Sequence, residues 1–146
     1  MNVNAIFFES CENGNLEKVK ACVTLGFNVN SVSPDGKETG LGIAAGKDNL
    51  ELLEYLLSCS GVDVNKESGG YTPLMRACAS GNDRIVRRLS QVPGMLFNFQ
   101  DSLGQTAAHS AADSGHWPFK SKTECVRILS SVEAVDWNLR DKFGTV

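Results

Sequence analysis

The sequence predicts an all-α repeat solenoid, built from helix-turn-helix units with short β-hairpin-like turns and stacked into a curved array. Three observations carry this reading. Thr39, Thr72 and Thr106 are spaced by 33 and 34 residues. Five and six positions after each stands a pair of small residues, Ala44-Ala45, Ala77-Cys78 and Ala111-Ala112. Each unit closes on an asparagine, Asn30, Asn65, Asn98 or Asn138, after a stretch in which apolar and variable residues alternate. A period of this size marks units that cannot bury an apolar face alone and do so by stacking on their neighbours.

The repeats run over about 1–31, 32–66, 67–100 and 101–139, forming one domain, and 140–146 opens a fifth. The first repeat aligns through Gly14 with Gly81 and Gly115, places Ser10-Cys11 in the small-residue column, and has no opening hairpin. Paired small residues allow the first helices of neighbouring repeats to approach closely. In the second helices Val19, Leu53, Val86 and Val126 share one position, and Cys22, Leu56, Leu89 and Leu129 the position three later. That spacing is one face of a helix. Trp137 falls in the column of Val29, Val64 and Phe97, which reads as core. Cys11, Cys22 and Cys78 also read as core. Cys125 aligns with Lys18, Leu52 and Ile85, a mixed column that leaves its burial open, and Cys59 follows a second helix.

Local chemistry supports each boundary. Thr72-Pro73 is a helix start, because the hydroxyl caps backbone N–H groups and proline at the first helical position gives up an N–H that has no partner there. Gly81 and Gly115 stand where the first helix ends in a left-handed residue. Asp48 takes that place in the second repeat, and aspartate tolerates the conformation better than most residues. The second repeat spells Thr39-Gly40-Leu41-Gly42 and has an extra residue between Gly36 and Thr39. It is expected to be looser than its neighbours, at about 1 kcal/mol for each glycine in a helix interior. The fourth carries about six additional residues around Trp117–Lys122, an insertion of the kind that maps to surface loops. Trp117 and Phe119 within it are a secondary candidate for partner contact.

The stretches Gly70-Tyr71-Thr72-Pro73-Leu74-Met75-Arg76-Ala77-Cys78 and Gly104-Gln105-Thr106-Ala107-Ala108-His109-Ser110-Ala111-Ala112 resemble the ankyrin-repeat signature G-x-T-P-L-H-x-A-A. The resemblance implies a scaffold or adaptor that binds a partner protein on its concave face and hairpin tips. The alternative it leaves is a structural or regulatory spacer within a larger enzyme or channel subunit. Carried onto this register, the tips supply Lys37, Glu38, Ser68, Tyr71, Ser102, Leu103, Gln105, Lys142 and Phe143, and the first helices supply Lys47, Ser80, Asp113 and Ser114. The family also implies that His109 bonds the repeat's own turn, that His116 is structural, and that the closing asparagines stand where some members are hydroxylated.

Composition narrows the partner class. A formal charge of -3 with 21% charged residues offers no footprint for nucleic acid. No apolar run approaches the roughly 18 residues of a membrane span. Five cysteines at irregular spacing do not form a disulfide framework, which points to the cytoplasm, with the nucleus as the other reducing compartment. Arg84, Arg87 and Arg88 read as a solvated convex face. No metal-ligand spacing, phosphate loop or nucleophile–base arrangement is present, so neither a cofactor nor catalysis is expected. The break within the fifth repeat suggests a fragment, whose uncovered C-terminal face invites self-association.

Overall fold

A computed structural model of the chain describes residues 2–113 and 122–146. Eight α-helices occur among them, two per repeat: α1 (Val3–Glu12), α2 (Leu16–Thr24), α3 (Gly40–Gly46), α4 (Leu50–Ser58), α5 (Pro73–Ser80), α6 (Asp83–Ser90), α7 (Ala107–Ala112) and α8 (Thr123–Ser130). The first helices stack as one layer, α1 on α3 on α5 on α7, and α4, α6 and α8 follow one another in a second layer. Extended pairing among the described residues is confined to the bridges Val32–Thr39 and Ser68–Tyr71 at the turns. One hydrophobic core runs the length of the array, from Phe7 through Leu53 and Leu89 to Leu129.

The capping follows the sequence. The hydroxyls of Thr39, Thr72 and Thr106 accept the N–H groups of Gly42, Met75 and His109 at 2.9, 3.2 and 3.3 Å. His109 returns the bond, its Nδ1 accepting the Thr106 N–H at 3.1 Å, which makes a capping box. Gly14 and Gly81 both take φ of +69°, and Asp48 takes +56° as expected. Asn15 and Asn49 cap the second helices. Asn82 does something different: its Nδ2 donates to the carbonyls of Ala45 and Gly46 at 2.8 and 3.1 Å, closing the end of α3 from the next repeat.

The structure revises the reading of Gly40 and Gly42, settles the burial of Cys125, and adds partners to the arginines of α6, whose Arg84 and Arg87 side chains remain 59% and 58% exposed as expected. Gly40 and Gly42 are tightly packed, because a Cβ on Gly40 would stand 2.9 Å from the Phe7 ring and one on Gly42 3.1 Å from Arg76 Nε. Their missing side chains admit neighbouring repeats. Cys125 is fully buried alongside Leu52 and Ile85, while Lys18 in the same column remains exposed at the first repeat. The three arginines of α6 are inter-repeat ties, pairing Arg84 with Asp48 (3.6 Å), Arg88 with Glu54 (2.5 Å) and Arg87 with Glu124 (3.2 Å). Exposed pairs of this type contribute about 0–1 kcal/mol each.

The closing asparagines link the repeats most regularly. Asn30 Nδ2 donates to the Gly61 carbonyl (2.8 Å) while its Oδ1 accepts the Asp63 N–H (2.7 Å). Asn65 repeats this with Gly94 and Leu96, at 2.8 Å for both bonds. Asn98 does so with Ala134 and Asp136, again at 2.8 Å for both. Asn138 donates its backbone N–H to Asp136 (2.9 Å), and its side chain makes no hydrogen bond among the described residues.

The turns are tied separately. Arg76 joins the turn of the second repeat to that of the third: its Nη1 pairs with Glu38 Oε1 at 3.2 Å, and its Nη2 donates to the carbonyls of Ser68, at 2.9 Å, and Lys37. Burial of the Glu38 carboxyl raises its pKa above the ordinary 4.5, with Arg76 opposing the shift.

Two measurements check these links. Asn65→Ala is expected to lower stability in urea titration by about 1–2 kcal/mol, the net worth of two hydrogen bonds, whereas Asn138→Ala should stay within about 0.5 kcal/mol of wild type. Glu38 binds its proton more readily folded than unfolded, so the stability it adds is present below pH 4.5 and is lost as pH rises through the raised folded value. Glu38→Gln should therefore show a shallower decline in stability above pH 4.5 than wild type.

Candidate protein-binding face

The first helices stack in one layer, and each of α3, α5 and α7 is preceded by a turn. Each turn is shaped by its own sequence. In the fourth and fifth, Asp101 and Asp141 accept two backbone N–H groups apiece, from Leu103 and Gln105 and from Phe143 and Thr145, at 2.8–2.9 Å. These carboxylates hold Leu103 and Phe143 outward, 37% and 71% exposed. The third turn is tighter. Ser68 and Tyr71 exchange both backbone bonds at 3.0 Å around Gly69 and Gly70, whose φ values of +56° and +88° suit a two-residue hairpin. Tyr71 stands at its base, 40% exposed, with the Arg76 guanidinium 5.6 Å from its ring centroid.

A groove of about 450 Å³ runs from the third repeat across the fourth to the fifth turn, where Asp141, Thr145 and Val146 line it, and it brings together Tyr71, Gln105 and Asp113. Ala79 and Ala112 are among the small residues that line it, and His109 and Lys122 lie along its edge. Ser102, Leu103, Lys142 and Phe143 are exposed on the neighbouring tips. Lys142 places its ammonium 5.7 Å from the Phe143 ring.

Other expected contact residues are placed differently. Ser68 is buried, so its side chain does not form part of the face; its carbonyl and hydroxyl face Arg76. Glu38 is half-buried in the Arg76 clasp. Lys37 is exposed beside Asp35, and Lys47 is paired with Glu12 at 2.8 Å. Both lie toward the second repeat, away from the groove. Ser80 is half-buried. Ser114, Trp117 and Phe119, together with Gly115 and His116, lie outside the described residues.

Arg76 and Lys122 were not among the expected face residues. Arg76 occupies a variable signature position, where its type alone does not reveal that it crosses to the preceding turn. Lys122 follows the insertion, where the repeat register is lost; its Nζ donates to the Ser110 carbonyl at 3.1 Å.

The reactive residue types are engaged in structure. His109 Nδ1 accepts from the Thr106 N–H, leaving Nε2–H to donate to the Thr145 carbonyl at 2.9 Å, so the ring ties its own turn to the next. Burial, with a contribution from Cys22, pushes the Cys11 thiol up to about 12. Burial also raises Cys78, and it raises half-buried Cys59, whose thiol donates to the Tyr55 carbonyl. Protonated thiols of this kind are poor nucleophiles at neutral pH. Among the described residues no helix is long and apolar enough to cross a membrane.

Comparison with known proteins agrees with this architecture. The chain is 36% identical over 80 residues to human SMC5-SMC6 complex localization factor protein 1, covering 54% of this chain and 8% of that protein. It is 30% identical over 120 residues to mouse cortactin-binding protein 2, covering 80% and 7%. With the Saccharomyces cerevisiae "Probable 26S proteasome regulatory subunit p28" it shares 31% identity over 113 residues, covering 75% and 49%. The chain thus spans less than a tenth of the first two proteins and about half of the third. A family model described as "Ankyrin repeats (3 copies)" matches residues 7–96 and, in an overlapping placement, 43–141. With its stacked helix pairs and capped turns, the chain belongs to the ankyrin-repeat family, whose arrays generally mediate protein–protein interaction.

Proposed function

We propose that this array is a scaffold or adaptor module that holds a partner protein along its concave face, with the groove that runs from the third repeat to the fifth turn as the centre of contact. The observation that carries this is the groove lined by exposed Tyr71 together with Gln105 and Asp113, with Leu103 37% exposed on the tip two residues before Gln105. Apolar and aromatic anchors among polar neighbours are the composition of an interface centre, because the anchors supply desolvation energy and the polar groups fix orientation. Phe143, on the next tip, is a further exposed aromatic residue, at 71%. The names of the relatives accord with this reading, since one is named for a complex it localises and another for a protein it binds.

A reducing compartment, the cytoplasm or nucleus, suits the chain. All five cysteines are free, and four are buried as components of the core.

Affinity capture with the intact chain, followed by mass spectrometry, tests the assignment against a Tyr71→Ala/Leu103→Ala variant whose melting temperature is measured in parallel. Both side chains are exposed, so melting should change by no more than a few degrees while captured partners are depleted about ten-fold or more, the loss expected when an interface anchor is truncated. An unchanged partner set would place the binding surface elsewhere.

A further inference from the structure

The loops that close the repeats share a local device, and the third loop lacks it. Two residues before each closing asparagine stands Asn28, Asp63, Leu96 or Asp136. The side-chain oxygens of Asn28, Asp63 and Asp136 accept the N–H groups of Asn30, Asn65 and Asn138 at 2.9, 3.0 and 2.9 Å. Leucine offers no acceptor, and the Asn98 N–H has no hydrogen-bond partner among the described residues. Leu96 is instead 56% exposed. Short polar side chains are the ones that bond their own backbone in turns. A leucine at this register therefore gives up a local hydrogen bond and leaves apolar surface in water.

Leu96 belongs to a larger apolar feature. A recess of about 400 Å³ is lined by Met95, Leu96, Phe97, Asn98, Phe99 and Ala134, and it shares no residue with the groove that holds Tyr71. The asparagine links fix both of its flanks. On one side the Leu96 N–H donates to Asn65 Oδ1 at 2.8 Å, and the Asn65 N–H in turn donates to Asp63. On the other, Asn98 Nδ2 donates to the Ala134 carbonyl and Asn98 Oδ1 accepts the Asp136 N–H, both at 2.8 Å. Exposed Asp63 and Asp136 thus stand to either side of the recess, and exposed Glu133 precedes Ala134. Along the loops 60–66, 92–99 and 132–139 these three carboxylates stand against a single basic residue, Lys66.

We propose that this recess is a second docking surface, which takes a basic segment of a partner protein that presents an apolar side chain flanked by lysine or arginine. The apolar side chain enters beside Leu96, Phe97 and Phe99. The flanking cations meet Asp63 on one side and Asp136 with Glu133 on the other. The occupant is argued from charge complementarity: an apolar centre between carboxylates favours a partner of the opposite sign and repels an acidic one. Burying the apolar centre supplies the affinity, and the charged rim sets orientation and partner choice. The surface is formed by the loops that follow the second helices, so it is additional to the concave-face contact and does not depend on it.

The probe is the peptide acetyl-Arg-Arg-Leu-Leu-Arg-Arg-amide, titrated into the intact ¹⁵N-labelled chain and followed by two-dimensional NMR. Saturable shifts are expected at the amides of Leu96, Phe97, Asn98 and Asp136. The same peptide with glutamate in place of each arginine should bind about ten-fold more weakly or not at all. Leu96→Asn separates docking from packing, because it leaves the charge unchanged and restores the acceptor that Asn28 supplies in the first repeat. It should weaken the basic peptide about ten-fold, the loss expected when an interface anchor is removed, while the melting temperature stays the same or rises by a few degrees. A fall in melting temperature of several degrees would assign Leu96 to packing and overturn the proposal. So would undiminished binding by Leu96→Asn, equal affinity for the acidic peptide, shifts confined to residues outside the recess, or the absence of any saturable shift.

Discussion

The side-chain amide of a closing asparagine offers a donor and an acceptor in one plane, and three times in this chain it spends both on the backbone of the next repeat. That bidentate link fixes the distance and rotation between successive units at the loop edge. The buried columns then fill the space so defined, Leu53 and Leu56 meeting their counterparts Val86 and Leu89 in one continuous core. A two-helix unit of this size has too little interior to fold on its own hydrophobic burial. The groove, the spacing of the turns and the direction of the exposed tips all follow from that repeated offset.

Much of the fold was legible in the sequence because its determinants act within a few residues. A threonine caps the helix that follows it, a glycine or Asp48 ends that helix, and an i, i+3 pair of aliphatic residues marks the buried side of the next. What local pattern did not reveal depends on residues a full repeat away. Gly40 reads locally as slack, yet the Phe7 ring stands against it, and Arg84, Arg87 and Arg88 face outward as their positions imply but also pair with carboxylates on other repeats. Cys125 stands in a column whose first member, Lys18, is exposed while Leu52, Ile85 and Cys125 itself are buried, so residue type in that column did not reveal burial.

The candidate face was legible to the same degree. Register alone selected Tyr71, Gln105 and Asp113, which the fold brings into one groove. Register failed at Ser68, whose alignment with the exposed Ser102 hides the fact that the shorter third turn folds it inward against Arg76. A difference of one residue in turn length thus has two effects at once. It buries a position that is exposed elsewhere, and it places two left-handed glycines, Gly69 and Gly70, at the tip.

The contact between Phe7 and Gly40 also bears on how such a chain can change. Phe7 corresponds to Leu41, Leu74 and Ala108 in the later repeats, and Gly40 corresponds to Pro73 and Ala107. A large ring on one unit thus meets an absent side chain on the next, a lock and key that neither later junction reproduces. Removing or exchanging the second repeat would bring the ring against the proline of the third. The units share one architecture, yet their order is written into their contacts, and recombination among them is constrained at the first junction by shape.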